Sequence, residues 1–170
     1  MTISRRHLNT LIAGLPLAGA LPQALAQTRK DSVVLGMVLE PPGLDPTIAP
    51  AAAIGEIVHY NVFEGLTKVA MDGSVTPLLA EAWSMTPDGK VYTFRLRKGI
   101  TFSDGAPFDA AAVKFSFERM FALKQGPSEA FPEDTKVVVV APMKVRFDLP
   151  TPFAPFLYTL ANNGAGIVNP

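Results

Sequence analysis

The sequence predicts an α+β or mixed α/β fold, and three observations carry that prediction. Runs with a strand's period of two flank Pro87-Asp88-Gly89 and recur on both sides of Pro142. An amphipathic helix pattern follows Asp109. Strands and helices interleave without a regular strand–helix–strand rhythm, which favours antiparallel hairpins over a doubly wound sheet.

Taken in order, residues 1–26 read as an export signal. Arg5 and Arg6 form a basic start with no acid nearby, and Leu11 to Leu25 is apolar but broken by Gly14, Pro16, Gly19 and Pro22. Ala24-Leu25-Ala26 suits signal-peptidase cleavage before Gln27. The Ser4-Arg5-Arg6-His7-Leu8 run resembles the twin-arginine motif, with Asn9 as a departure; general secretion is the alternative route. A membrane anchor fits poorly, because the apolar run is short and interrupted.

Gln27 to Asp31 is a polar lead-in. Ser32 to Glu40 is nearly continuous in apolar residues, which predicts a strand buried on both faces. Pro41, Pro42 and Pro46 then impose an extended loop. Ile54, Ile57, Val58, Val62 and Phe63 recur at helical spacing, so a helix is expected from about Ala51 to Glu64, stopped by Gly65. Leu66 to Ala70 is a short strand candidate turning at Asp72-Gly73. Ala82 to Met85 and Val91 to Arg97 form a hairpin, with Tyr92, Phe94 and Leu96 on one face and Thr93, Arg95 and Arg97 on the other.

Asp104-Gly105 makes the next turn. The Asp-Gly pairs at 72, 88 and 104 are successive turns rather than a sequence repeat, since their flanks do not match. Asp109 caps a helix to about Leu123 whose apolar stripe is Val113, Phe117, Met120 and Phe121. Gln125 to Asp134 is a polar loop. Val137 to Val140 and Val145 to Leu149 form a second hairpin. Phe153 to Leu160 suits a short helix, and Gly166 to Val168 suits the start of a strand.

Composition narrows the function. The chain has 170 residues, of which 48% are apolar, enough for a core. Beyond residue 26 it carries 13 basic and 15 acidic residues, a formal charge of −2. That balance argues against nucleic-acid binding, which needs a basic patch to displace counterions. The absence of cysteine excludes disulfides and thiolate metal sites. No Gly-x-Ser-x-Gly elbow, phosphate loop or zinc-protease motif occurs.

Several segments together point to a family. Glu40-Pro41-Pro42-Gly43-Leu44-Asp45-Pro46 and Tyr60-Asn61-Val62-Phe63-Glu64-Gly65-Leu66 come first. Pro77 to Trp83, Tyr92 to Gly99, Phe102 to Gly105, Phe108 to Arg119 and Pro152 to Leu157 follow. In this order they resemble the extracytoplasmic solute-binding proteins of family 5, the oligopeptide- and dipeptide-binding group. The resemblance implies part of a two-lobed fold like the type II periplasmic binding proteins. It implies a periplasmic, monomeric ligand trap that closes on peptide or a similar small solute. The closed form would deliver the solute to the permease of an ABC importer, with no cofactor and no catalysis. Opines, sugars, nickel complexes and glutathione-like molecules remain open as solutes. Members of the family are much longer, so residues 27–170 are expected to be the N-terminal portion of the solute-binding domain, an incomplete lobe. An exported hydrolase and a structural envelope protein are the rival readings.

Candidate site residues follow from that resemblance. Glu40, Leu44 and Asp45 lie on the loop after the first expected strand, where family proteins meet ligand; the alternative is a solvated loop shaped by its prolines. Tyr60 offers a hydroxyl to a cleft or packs its helix. Trp83 is read as core, Arg95 and Arg97 as a solvated strand face. His59, the sole histidine beyond the export segment, lacks partners at metal-ligand spacing.

Overall fold

A computed structural model describes residues 34–49 and 51–170. The expected export segment and the polar lead-in lie outside the described residues. Helix α1 spans Ala52–Val58, burying Ala53, Ile54 and Val58. It ends six residues before the expected stop. Phe63 N and Val62 N both donate to Val58 O, and Tyr60 adopts φ 61°, so the chain reverses in a tight loop there. Tyr60 is held in this left-handed conformation, which costs a bulky residue about 1–2 kcal/mol. Gly65 has a different role from the helix stop that was expected. A Cβ there would lie 2.7 Å from Leu160 O, so glycine permits close backbone approach.

Strands β1 (Thr67–Val69) and β2 (Val75–Pro77) pair antiparallel across the Asp72-Gly73 turn. The Asp72 carboxylate accepts from Ser74 N at 3.0 Å and Ser74 Oγ at 2.7 Å, which builds the turn locally. Strand β2 was not expected, because three residues carry too little periodicity to read.

The main sheet contains β3 (Ala80–Met85), β4 (Val91–Leu96), β5 (Lys136–Ala141) and β6 (Lys144–Asp148), in the order β3-β4-β6-β5 and antiparallel throughout. Both predicted hairpins are therefore present, joined through β4 and β6. In the first turn Asp88 accepts from Thr86 Oγ1 at 2.5 Å and Lys90 N at 3.2 Å, and Gly89 supplies φ 69°. Register places Tyr92 opposite Phe147 and Phe94 opposite Val145. The predicted inner face of β4 is realised, with Tyr92, Phe94 and Leu96 all buried.

Helix α2 (Ala110–Leu123) covers this face. Asp109 caps it as expected, accepting from Ala111 N at 2.8 Å and Ala112 N at 3.0 Å. Val113, Phe117 and Met120 are buried against the sheet, and Phe121 packs at the margin. The Phe147 ring lies 4.9 Å from Phe117, 5.4 Å from Phe156 and 5.7 Å from Phe94, in edge-on contacts that suit aromatic quadrupoles. Phe156 opens the short helix α3 (Phe156–Thr159), within the expected 153–160. The expected polar loop at 125–134 holds a 3₁₀ turn, Gly126–Ala130, and Phe131 beyond it turns into the core.

Two expected strands are not found. Among the described residues, 34–40 contain no strand, and Val34 and Val38 are 93% and 98% exposed. An apolar run becomes a buried strand only when other strands pair with it, and no described strand does. Residues 166–168 are also irregular. Ile167 is buried, but its N–H goes to Glu64 O at 2.9 Å, and the Val168 N–H goes to a side chain rather than to a ladder.

Candidate functional site

The proline-bearing loop at 38–49 is organised from within. The Asp45 carboxylate accepts from Thr47 N at 2.9 Å and Thr47 Oγ1 at 2.7 Å, closing a small side-chain turn around Pro46. Helix α2 then reaches across to it. Arg119 Nη2 donates to Asp45 Oδ2 at 2.5 Å, and Arg119 Nη1 donates to Thr47 Oγ1. Burial pushes the Asp45 carboxyl up. Hydrogen bonds from Arg119 and Thr47, with the guanidinium charge, outweigh that effect and hold it below its usual value. Asp45 thus spends its acceptors inside the protein. The side chains of Glu40 and Leu44 are exposed on the same loop.

Tyr60 sits elsewhere. The loop after α1 stacks the rings of His59 and Tyr60 with centroids 3.7 Å apart. The Tyr60 hydroxyl donates to Ala161 O at 3.3 Å. Tyr60 lines an open cavity of about 390 Å³ with Gly55, His59, Val69, Tyr158, Ala161, Asn162 and Asn163. Burial pushes the His59 imidazole below its usual value, which favours its neutral form. The walls carry amides and aromatic rings but no full charge. Glu40, Leu44 and Asp45 do not line it. The four sequence-predicted residues therefore fall in two places, three on the loop and one in the cavity.

A larger cavity of about 700 Å³ lies beyond the C-terminal end of α2. Phe121, Phe131 and Pro132 form its apolar wall, and Lys124, Glu129, Glu133, Asp134 and Lys136 its polar rim. None of the sequence-predicted residues reaches it. Size alone does not mark a site, and these charges of both signs sit on exposed side chains.

Arg95 faces outward and pairs with Glu81, and Trp83 is half-buried against the core, as the strand periodicity predicts. Among the described residues no three His, Asp or Glu side chains come together as a metal group. Sequence reasoning missed Arg119 and Thr47. The available signals were the Asp-Pro-Thr turn pattern and an arginine beside the buried stripe of α2.

Comparisons with known proteins fit this architecture. The family model for the bacterial extracellular solute-binding proteins, family 5 Middle, matches residues 74–169. The chain is 43% identical over 166 residues to the probable D,D-dipeptide-binding periplasmic protein DdpA of Escherichia coli (strain K12), covering 95% of this chain and 32% of the relative. It is 33% identical to the glutathione-binding protein GsiB of Salmonella paratyphi A, covering 94% of this chain and 31% of that protein. Among solved structures, NikZ from Campylobacter jejuni in complex with Ni(L-His) matches with a TM-score of 0.67 and 31% identity, over 77% of this chain and 26% of that one. NikA from Brucella suis matches with a TM-score of 0.62 and 35% identity, over 71% and 24%. The chain spans about a third of the length of the curated relatives it matches. These solved relatives share the type II periplasmic-binding-protein fold, and the residues matched by the family model include the main sheet, α2 and α3. By the extent of the family match, this chain belongs to the family 5 bacterial extracellular solute-binding proteins.

Proposed function

We propose that this chain belongs to the periplasmic solute-binding component of an ABC importer, which captures a small peptide and passes it to the permease. The observation that carries the reading is the 43% identity to a D,D-dipeptide-binding relative, sustained over 95% of the chain. A D,D-dipeptide is accordingly the first solute to test. The loop at Glu40, Leu44 and Asp45 is the proposed contact, with Glu40 as an exposed carboxylate suited to a ligand ammonium group. Tyr60 is a second proposed contact, through its cavity. Residues 1–26 are proposed to export the protein, and residues 27–170 to form the N-terminal part of the solute-binding domain. The protein works as a monomer without cofactor and leaves its ligand chemically unchanged. A cleft that closes about a hinge buries a small solute with few polar contacts, which is how such a trap discriminates.

The test is a melting-shift and calorimetric titration with D-Ala-D-Ala, L-Ala-L-Ala, glutathione and Ni(II)–L-histidine, with mass spectrometry of the solute afterwards. A ligand at a hundred times its Kd stabilises by about 2.7 kcal/mol, which raises Tm by roughly 5–10 °C in a domain of this size. Saturable binding of D-Ala-D-Ala without turnover is the expected result. Cleavage of any solute would instead favour an exported hydrolase, and no response to any of them would favour a structural envelope role.

A further inference from the structure

The loop proposed to meet solute is held by a residue far along the chain. Arg119 and Asp45 are 74 positions apart, yet the guanidinium places one nitrogen on Asp45 Oδ2 at 2.5 Å and the other on Thr47 Oγ1. Asp45 Oδ1 is taken by Thr47 N and Thr47 Oγ1. Both carboxylate oxygens and the threonine hydroxyl are therefore engaged in one closed triad. Thr47 is only 1% exposed, although its side chain is polar. Buried polar groups hold such positions when their hydrogen bonds are complete, and lose them when one partner is removed.

Other restraints on the loop are few. Among the described residues, no backbone–backbone hydrogen bond joins 38–49 to a helix or strand. Glu40 is exposed and Leu44 is about half exposed, which leaves Pro46 and Thr47 as the loop's buried residues. One helical turn before Arg119, Ser116 makes a parallel attachment. Its Oγ accepts from Val168 N at 3.0 Å and faces Ala112 O at 2.8 Å. Residues three apart lie on one side of a helix. One flank of α2 therefore grips two separate places, residues 45–47 and Val168, while the adjacent stripe packs on the sheet.

We infer that Arg119 is a positioning residue for solute binding: it fixes Asp45 and Thr47 and so presents Glu40 and Leu44 in one conformation. The inference rests on the reading that this loop meets solute. In this role Arg119 acts through the loop rather than by contact with solute. Its fork geometry matters, because a lysine ammonium is a point charge and does not reproduce two directed bonds.

The experiment is hydrogen exchange on the full chain, with calorimetric titration of D-Ala-D-Ala, for wild type, Arg119→Met, Arg119→Lys and Thr47→Val. Exchange in β4 and β6 reports whether each variant keeps its core, and Thr47→Val serves where Arg119→Met fails to fold. Expected is at least roughly tenfold faster exchange across 43–49 in Arg119→Met with the sheet unchanged, and an intermediate rate in Arg119→Lys. A loop competent about one tenth of the time raises the apparent Kd about tenfold. Unchanged loop exchange in both Arg119→Met and Thr47→Val overturns the latch. A loosened loop with the wild-type Kd overturns the positioning role and leaves the solute reading standing. A wild-type chain that binds none of the solutes overturns the solute reading, and the positioning role with it.

Discussion

Phe147→Ala is the sharpest test of the fold. Phe147 is fully buried on β6, opposite Tyr92 on β4. Its ring meets Phe94, Phe117 and Phe156, which come from β4, α2 and α3. Removing a buried phenyl ring costs about 3–5 kcal/mol, a transfer loss plus a cavity term. Each edge-on aromatic contact adds about 0.5–1.5 kcal/mol beyond area. The cavity walls belong to three elements fixed by separate hydrogen bonds, so collapse is limited. The expected loss is thus near the top of the range, about 4–5 kcal/mol, a large share of a typical domain's 5–15 kcal/mol. The matching fall in Tm is roughly 10–20 °C. Trp83 is the chain's only tryptophan, and its ring lies 6.2 Å from Phe94, so its fluorescence reports unfolding in urea. Phe115→Ala is the comparison, because Phe115 is 40% exposed on α2, and a smaller loss of about 1–2 kcal/mol is expected. If Phe147→Ala loses less than about 2 kcal/mol at an unchanged urea slope, the aromatic cluster is not the core described here.

Three further outcomes are expected. Asp109→Ala removes both hydrogen bonds at the start of α2 and should cost about 1 kcal/mol in urea unfolding, while Asp109→Ser retains most of it. Gly164→Ala would put a Cβ 2.7 Å from Pro127 Cβ, a rigid ring atom, so a loss of about 1–3 kcal/mol is expected by thermal unfolding. The Asp45 carboxyl is depressed in the folded state, so its ionised form adds stability above its ordinary value near 3.8, and that gain is lost as pH falls through the lower folded value. Wild type should therefore exceed Asp45→Asn in stability at pH 6, with the gap closing below about pH 4 in parallel urea titrations.

What could be read from the sequence was local. Asp88 and Gly89 build their turn within five residues, and Asp109 caps α2 within three, so pattern and structure agree there. Tyr92, Phe94 and Leu96 announce their face because a strand alternates regardless of its partners. Where a partner decides the conformation, the reading failed. The apolar run before Glu40 looks like a buried strand, but its burial depends on strands that no local pattern reveals. The loop that ends α1 at Val58 depends on Tyr60 in a left-handed conformation, whose hydroxyl contact, Ala161, lies 101 positions away. Arg119 gives no local sign of its contact for the same reason, since Asp45 is 74 positions upstream.

That division also separates stability from recognition. Val113, Phe117 and Met120 of α2 close the core, while Ser116 and Arg119 on the neighbouring flank hold loop segments. The two sets share a helix but not their partners. A core substitution lowers the stability of every element packed on the sheet, so it shifts Tm and leaves the folded loop's geometry intact. A flank substitution frees one loop whose buried side chains are few, Pro46 and Thr47, so it moves Tm less than a core substitution and changes how often Glu40 and Leu44 are presented. In these terms Phe117→Leu and Arg119→Met fall on opposite axes of a plot of Tm against solute affinity. Variants scattered along a single diagonal would mean that α2 transmits core strain to the loop, and that the two flanks of the helix act as one.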